Sequence, residues 1–161
     1  DESGLVELLN KLKSLNKIKS NIKIKIVGIP DQKIKYLMKK KKFSKYIVLE
    51  GFSKRVDFEK LFSDCFCGLC LVTKNQSYTN NTIPSKIIDY IQYNLPILAT
   101  DNLGYISDII NKNSLGLLVD KNLSNINSNI EYIFKNQNLY KENIKEYLLN
   151  YDYTDIKEIF K

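Results

Sequence analysis

Short apolar runs separated by stretches with helical spacing recur along this chain, and that alternation limits its fold more than any other feature. The apolar runs are IKIKIVG (22–28), YIVLEGF (46–52), CGLCLVT (67–73), PILAT (96–100) and LGLLVD (115–120). Each reads as a strand bounded by glycine, proline or polar turn residues. Between them, Leu5, Leu8, Leu9, Leu12 and Leu15 form one helical stripe, 31–42 reads as a lysine-rich helix, and 56–65 is amphipathic with Phe58, Leu61 and Phe62 inward. Further helices are expected over 84–93, with Ile87, Ile88 and Ile91 toward the core, over 104–111, and from about Ser124 onward to a break flanked by Tyr151 and Tyr153. Strands suited to burial on both faces, alternating with helices, need a parallel sheet covered on both sides. The expected fold is α/β: one domain over residues 1–161, with a doubly wound, mostly parallel sheet of about five strands and helices on both faces.

Composition narrows the partners less sharply. The net charge is +7, from 25 basic and 18 acidic residues. That balance fits a phosphate-bearing ligand, an anionic membrane surface or nucleic acid, and an abundance of lysine, asparagine and isoleucine accounts for it equally. No apolar run approaches the roughly 18 residues of a membrane span, and no signal-peptide pattern is present. The chain begins at Asp1 inside what reads as a helix, so a longer parent protein is expected. Cys65, Cys67 and Cys70 lie close together, but with no histidine and no fourth cysteine they fall short of a zinc or iron–sulfur ligand set. They read instead as core thiols in a reducing, cytoplasmic compartment. Neither a GxGxxG fingerprint nor a GxxxxGK[ST] loop occurs, which disfavours a dehydrogenase or a P-loop NTPase.

The densest chemistry is in TIPSKIIDY, 82–90. Pro84 suits the first helical position, where a missing N–H costs nothing, and Thr82 stands near the cap. The free N–H groups of Ser85 and Lys86 would point out of the helix start, where the dipole favours an anion. Lys86 adds a full charge. Asp89, three residues on, shares its side of the helix about 4.5 Å further along the axis. A diphosphate at the tip and a pair of vicinal hydroxyls at Asp89 would satisfy both parts; an exposed Lys86–Asp89 ion pair is the simpler alternative. In a doubly wound sheet such a helix start lies outside the carboxyl ends of the strands, together with Gly28, Gly51, the loop from Lys74 and Asp101.

The order of elements and the wording of IKIVG (24–28), VLEGF (48–52), PSKIIDY (84–90), NLPILATD (94–101) and LGLLVD (115–120) resemble the C-terminal, donor-binding domain of GT-B glycosyltransferases, especially family 4. The resemblance runs over roughly residues 4 to 160. It implies a Rossmann-like half of a GT-B fold that binds a nucleoside diphosphate sugar, such as a UDP- or GDP-sugar. Asp89 then stands at the ribose hydroxyls, and Ser85, Lys86 and the preceding Thr82, Ile83 and Pro84 at the diphosphate. Gly28, Ile29, Gly51, Lys54 and Arg55 border the nucleotide. Lys86 and Asn81 are the catalytic residues that the resemblance implies. The chain departs from the family pattern at Asn81, where an acid is expected, and at Asp89, one methylene shorter than the family's glutamate. The family's first strand would precede Asp1, and its lysine–glycine at the first helix appears as Ser3-Gly4.

The resemblance further implies a retaining, metal-independent transfer to a sugar or lipid-linked acceptor held by a missing N-terminal domain, in bacterial surface polysaccharide or glycan synthesis. No cofactor beyond the donor is required. The fragment alone would be inactive, and the enzyme would work in the cytoplasm, with contact to the inner face of the membrane. Two other readings compete: a basic binding module for nucleic acid or anionic membrane, and a GT-B-type sugar-nucleotide epimerase. A single arginine, Arg55, and no aromatic–glycine stacking motif weigh against nucleic acid. The lack of histidine weighs against an epimerase's proton transfers.

Overall fold

The computed structural model describes residues 4–14, 22–28, 32–39, 44, 46–54, 57–73 and 83–150. Within them the elements run α1 (Leu5–Ser14), β1 (Ile24–Val27), α2 (Gln32–Lys39), β2 (Ile47–Gly51), α3 (Phe58–Phe62), β3 (Gly68–Cys70), α4 (Ser85–Gln92), β4 (Ile97–Thr100), α5 (Tyr105–Lys112), β5 (Gly116–Val119) and α6 (Ile126–Asn150). This is the predicted α/β alternation, and every strand pair is parallel. The hydrogen bonding departs from the single sheet expected: β1 pairs with β2, while β3, β4 and β5 form a second sheet in that order. Between β1 and β3 lies a cavity of 910 Å³ lined by residues of both strands.

Side chains that alternate along β4 enter two separate cores. Leu98 joins Leu8, Leu9, Ile24, Ile47, Val119 and Ile130 on one face. Ile97 and Ala99 join Cys70, Ile87, Ile106, Ile110 and Ile144 on the other. Helices α1 and α6 cover the first face and α4 and α5 the second, so the sheets are sandwiched as the apolar strands require. Helix α6 serves both cores. Its backbone leaves helical geometry at Asn136 (φ −113°, ψ 18°), whose side-chain amide donates to the Tyr132 carbonyl at 2.8 Å. Ile126, Ile130 and Ile133 before this kink face the first core, and Ile144 and Tyr147 after it face the second.

Local expectations hold unevenly. Ile87 and Ile91 are buried, but Ile88 is only half-buried. Phe58, Leu61 and Phe62 are half-buried too, because α3 is a five-residue helix with no buried residue. The Phe62 ring packs edge-on against Tyr90 and Tyr93 at 6.1 and 5.5 Å instead of entering a core. Of the three thiols Cys70 is fully buried in a core, Cys67 is half-buried and packed against the first core, and Cys65 is half-buried just past the end of α3. Leu8 and Leu9 are buried as expected of the leucine stripe, whereas the Leu12 side chain, Leu15, Tyr151 and Tyr153 fall outside the described residues.

Helix α3 is tied to β1 by polar contacts. Lys25 Nζ donates to the Leu61 carbonyl at 3.0 Å, pairs with Asp64, and lies 3.8 Å from Glu50. The hydrogen bond from Lys25 holds the Asp64 carboxyl below its ordinary range. Burial acts to lower the Lys25 pKa, but the bond and charge of Asp64, with Cys65 and Glu50, raise it overall.

Two outcomes follow. A Cβ at Gly116 would overlap the backbone of Ile97 on the neighbouring strand, and backbone cannot swing aside. Gly116→Ala should therefore lower unfolding free energy by about 1–3 kcal/mol in urea titration. The Asp64 carboxyl, depressed in the folded state, stabilises above its unfolded pKa of about 3.9 and loses that effect as pH falls through the folded value. Asp64→Asn should thus cost at most about 1 kcal/mol at pH 7, as for a solvent-screened pair. Its thermal-melting difference from the parent chain should vanish toward pH 2.

Candidate functional site

Parallel strands bring their carboxyl ends to one edge, where open α/β sheets bind ligands. At that edge β1 is followed directly by Gly28 (φ 102°) and β2 ends at Gly51 (φ 66°). The Gly28 N–H donates to the Gly51 carbonyl, so the two strand ends are coupled. A Cβ at either glycine would meet nothing within 4 Å. It is therefore the left-handed backbone, not crowding, that favours glycine there. Exposed Phe52 and Lys54 follow Gly51.

The end of β3 is held by two side chains from the neighbouring segment. Buried Thr100 accepts a hydrogen bond from the Val72 N–H at 3.0 Å, and Asn102 Nδ2 donates to the Val72 carbonyl at 3.1 Å. One residue further, the buried Ser107 hydroxyl accepts from the Leu103 N–H at 3.2 Å and fixes the turn into α5. The sequence reading passed over these three residues. The signal was present: a threonine inside an otherwise apolar strand, ILAT, needs a partner once buried.

Helix α4 begins one residue later than the sequence suggests. Pro84 is the N-cap, with extended backbone (ψ 124°), and Ser85 is the first helical residue. The shift follows from the backbone: Pro84 supplies the carbonyl that accepts the Ile87 N–H at 2.9 Å, closing the first turn. Ser85 and Lys86 are exposed, and Ile83 is half-buried against the second core. Asp89 is half-buried with its Oδ1 out of solvent. Lys86, Asp89 and Tyr90 line the cavity between the sheets, as do Lys25 and Glu50. The Lys86 charge is felt at Cys70, where burial pushes the thiol pKa up and the ammonium opposes it. Burial likewise pushes the Tyr90 phenol up; its hydroxyl donates to the Leu69 carbonyl at 3.1 Å.

The structure thus brings Lys86 and Asp89 to one cavity wall, with Ser85 and Pro84 at the start of the same helix. Gly28, Gly51 and Lys54 lie on the other sheet's carboxyl edge. Ile29, Arg55, Asn81 and Thr82 lie outside the described residues. Chemically, a helix N-terminus carrying a lysine favours an anion, and a carboxylate one turn along favours hydroxyl donors.

The sequence model of a family described as Glycosyl transferases group 1 matches residues 1–148. No curated protein and no solved structure matches the chain.

The clamp on β3 is open to test. Thr100→Val keeps the side-chain shape but leaves the Val72 N–H without its acceptor. Unfolding free energy should fall by about 1–3 kcal/mol, and hydrogen exchange at the Val72 amide should quicken more than at Leu98.

Proposed function

Because the chain belongs to the group 1 glycosyl transferases, we propose that it is the donor-binding half of a GT-B enzyme of the family 4 type, taking a UDP- or GDP-sugar or a related nucleoside diphosphate sugar. The observation that carries this reading is the position of PSKIIDY. Its helix begins beyond the carboxyl end of β3, and its lysine and aspartate face a common cavity. In this reading the N–H groups of Ser85 and Lys86, the helix dipole and the Lys86 ammonium receive the diphosphate. The charge on that group grows as it departs, so the same contacts strengthen in the transition state. Asp89 accepts hydrogen bonds from the ribose hydroxyls. Gly28, Ile29, Gly51, Lys54 and Arg55 border the nucleotide, and Asn81 meets the sugar as a neutral group.

The reaction is transfer of the sugar to a sugar or lipid-linked acceptor on a separate domain, in surface polysaccharide or glycan synthesis in the bacterial cytoplasm. Lysine and helix dipole supply positive charge at the leaving group, so the transfer needs no metal. In a retaining course the departing phosphate takes the acceptor proton, and this domain need contribute no base. The basic surface, at a net charge of +7, suits contact with an anionic membrane face.

Titration of UDP, GDP and ADP, read by thermal melting, tests the assignment. Ligand at about a hundred times its Kd contributes about 2.7 kcal/mol. That should raise the melting temperature by about 5–10 °C for a domain of this size. One nucleoside diphosphate should do so selectively, equally well in EDTA, and Lys86→Ala and Asp89→Ala should each weaken it at least tenfold. Absence of any nucleotide response, with salt-sensitive binding to an oligonucleotide, would overturn the proposal in favour of a nucleic-acid module.

A further inference from the structure

The positive charge of this chain is unevenly placed. Residues 1–60 hold 16 of the 25 basic residues and 7 of the 18 acidic ones, whereas residues 61–161 hold 9 and 11. A general abundance of lysine would raise the charge along the whole length, and it does not do so here. The excess is densest over 33–45, KIKYLMKKKKFSK, where seven lysines occur with no acidic residue. Helix α2 carries the first part of this stretch.

Helical spacing puts positions 32, 35, 36 and 39 on one side of α2, within about 100° of arc. Gln32, Lys35, Tyr36 and Lys39 are all exposed there, and Tyr36 keeps 59% of its surface in solvent. Among the described residues no carboxylate engages Lys35 or Lys39. This side of the helix therefore offers an aromatic ring flanked by two ammonium groups. A phenol is amphipathic and settles at the headgroup level of a bilayer. Lysine stems lie along apolar surface while their charges stay among the lipid phosphates. Nucleic acid fits less well, because 33–45 holds no arginine for base edges and a lone tyrosine on α2 makes no stacking platform.

We propose that the side of α2 bearing Lys35, Tyr36 and Lys39 docks on a membrane surface rich in acidic phospholipid. The two lysines meet headgroup phosphates and the Tyr36 ring lies in the interface. Lys40, Lys41 and Lys42, next in the sequence, add to the attraction of this segment toward the negative surface potential. Helix α2 starts just beyond Gly28, so docking holds the carboxyl edge of β1 beside the bilayer. The contact depends on where the charge lies and not on its total of +7, and it is independent of the nucleotide reading.

Cosedimentation of the full chain with vesicles of phosphatidylcholine, alone or mixed with an equal part of phosphatidylglycerol, tests this. Binding is expected to the mixed vesicles only, and should fall by about tenfold or more between about 0.1 and 0.5 M salt. Each lysine near an anionic surface contributes about fivefold in affinity, so Lys35→Glu with Lys39→Glu should weaken binding by about 25-fold or more. Lys135→Glu with Lys145→Glu alters two exposed lysines of α6 and changes the net charge equally. That pair should cost less than about fivefold. Tyr36→Ala should weaken binding by about threefold or more, at high salt as well as low. All of these side chains are exposed, so folding is not at stake. Equal losses from the two lysine pairs, or equal binding to both kinds of vesicle, would overturn the proposal. So would failure to bind vesicles in a chain that binds an oligonucleotide through Lys35 and Lys39. Nucleotide titration of the same chain remains a separate measurement.

Discussion

Burial of β4 on both faces is the constraint on which the rest of the molecule depends. All four of its residues, Ile97 to Thr100, are buried, and both neighbours pair with it in parallel. A strand in that position cannot leave either face to solvent, so each face must be roofed by helices of its own. The helices between successive strands supply the roof. Parallel pairing in turn aligns the strand ends, and it is at those ends that polar side chains gather. Thr100 illustrates the link: it is the last residue of the buried strand and also the hydrogen-bond acceptor that fixes Val72 at the site edge.

The sequence carried this much clearly because β4 and its neighbours are uniformly apolar and bounded by turns. The alternation, the parallel class and the two-sided covering all follow from runs such as PILAT and LGLLVD. The division into two sheets was not legible. Hydrophobic patterning shows which residues of β1 and β3 are buried, but it says nothing about which strand lies beside which. Lys25 shows a second limit. The alternation in IKIKIVG does not disclose that its side chain reaches Asp64 and the end of α3. Long amphipathic side chains make such contacts with partners distant in sequence.

At the candidate site, the helix start and the shared side of Lys86 and Asp89 were readable, because spacing of three residues fixes relative direction on a helix. The one-residue shift of Pro84 from first turn to cap was not, since proline suits either position at a helix start. The Val72 clamp was missed for a different reason. Thr100 and Asn102 act on a backbone group 28 and 30 residues away in sequence, and nothing local announces a partner so distant. Asn81, the position where the chain departs from the acid expected by resemblance, lies outside the described residues.

The two halves of the site are held together by forces of unequal precision. Within each sheet, hydrogen bonds set the strand ends: Gly28 against Gly51 in one, Val72 against Thr100 in the other. Between the sheets the contact is apolar, through Leu8 and Leu9 of α1 and Ile130 and Ile133 of α6 packed against Ile24, Ile47, Leu98 and Val119. Hydrophobic burial is strong but non-directional, whereas the proposed donor, if it is to touch both edges, needs them at a fixed spacing. A receptor divided in this way gains its precision where directional bonds cross the division. Among the described strands none does so, which makes the facing edges of β1 and β3, more than any single side chain, the place where the geometry of Gly28 and Gly51 relative to Lys86 and Asp89 is decided.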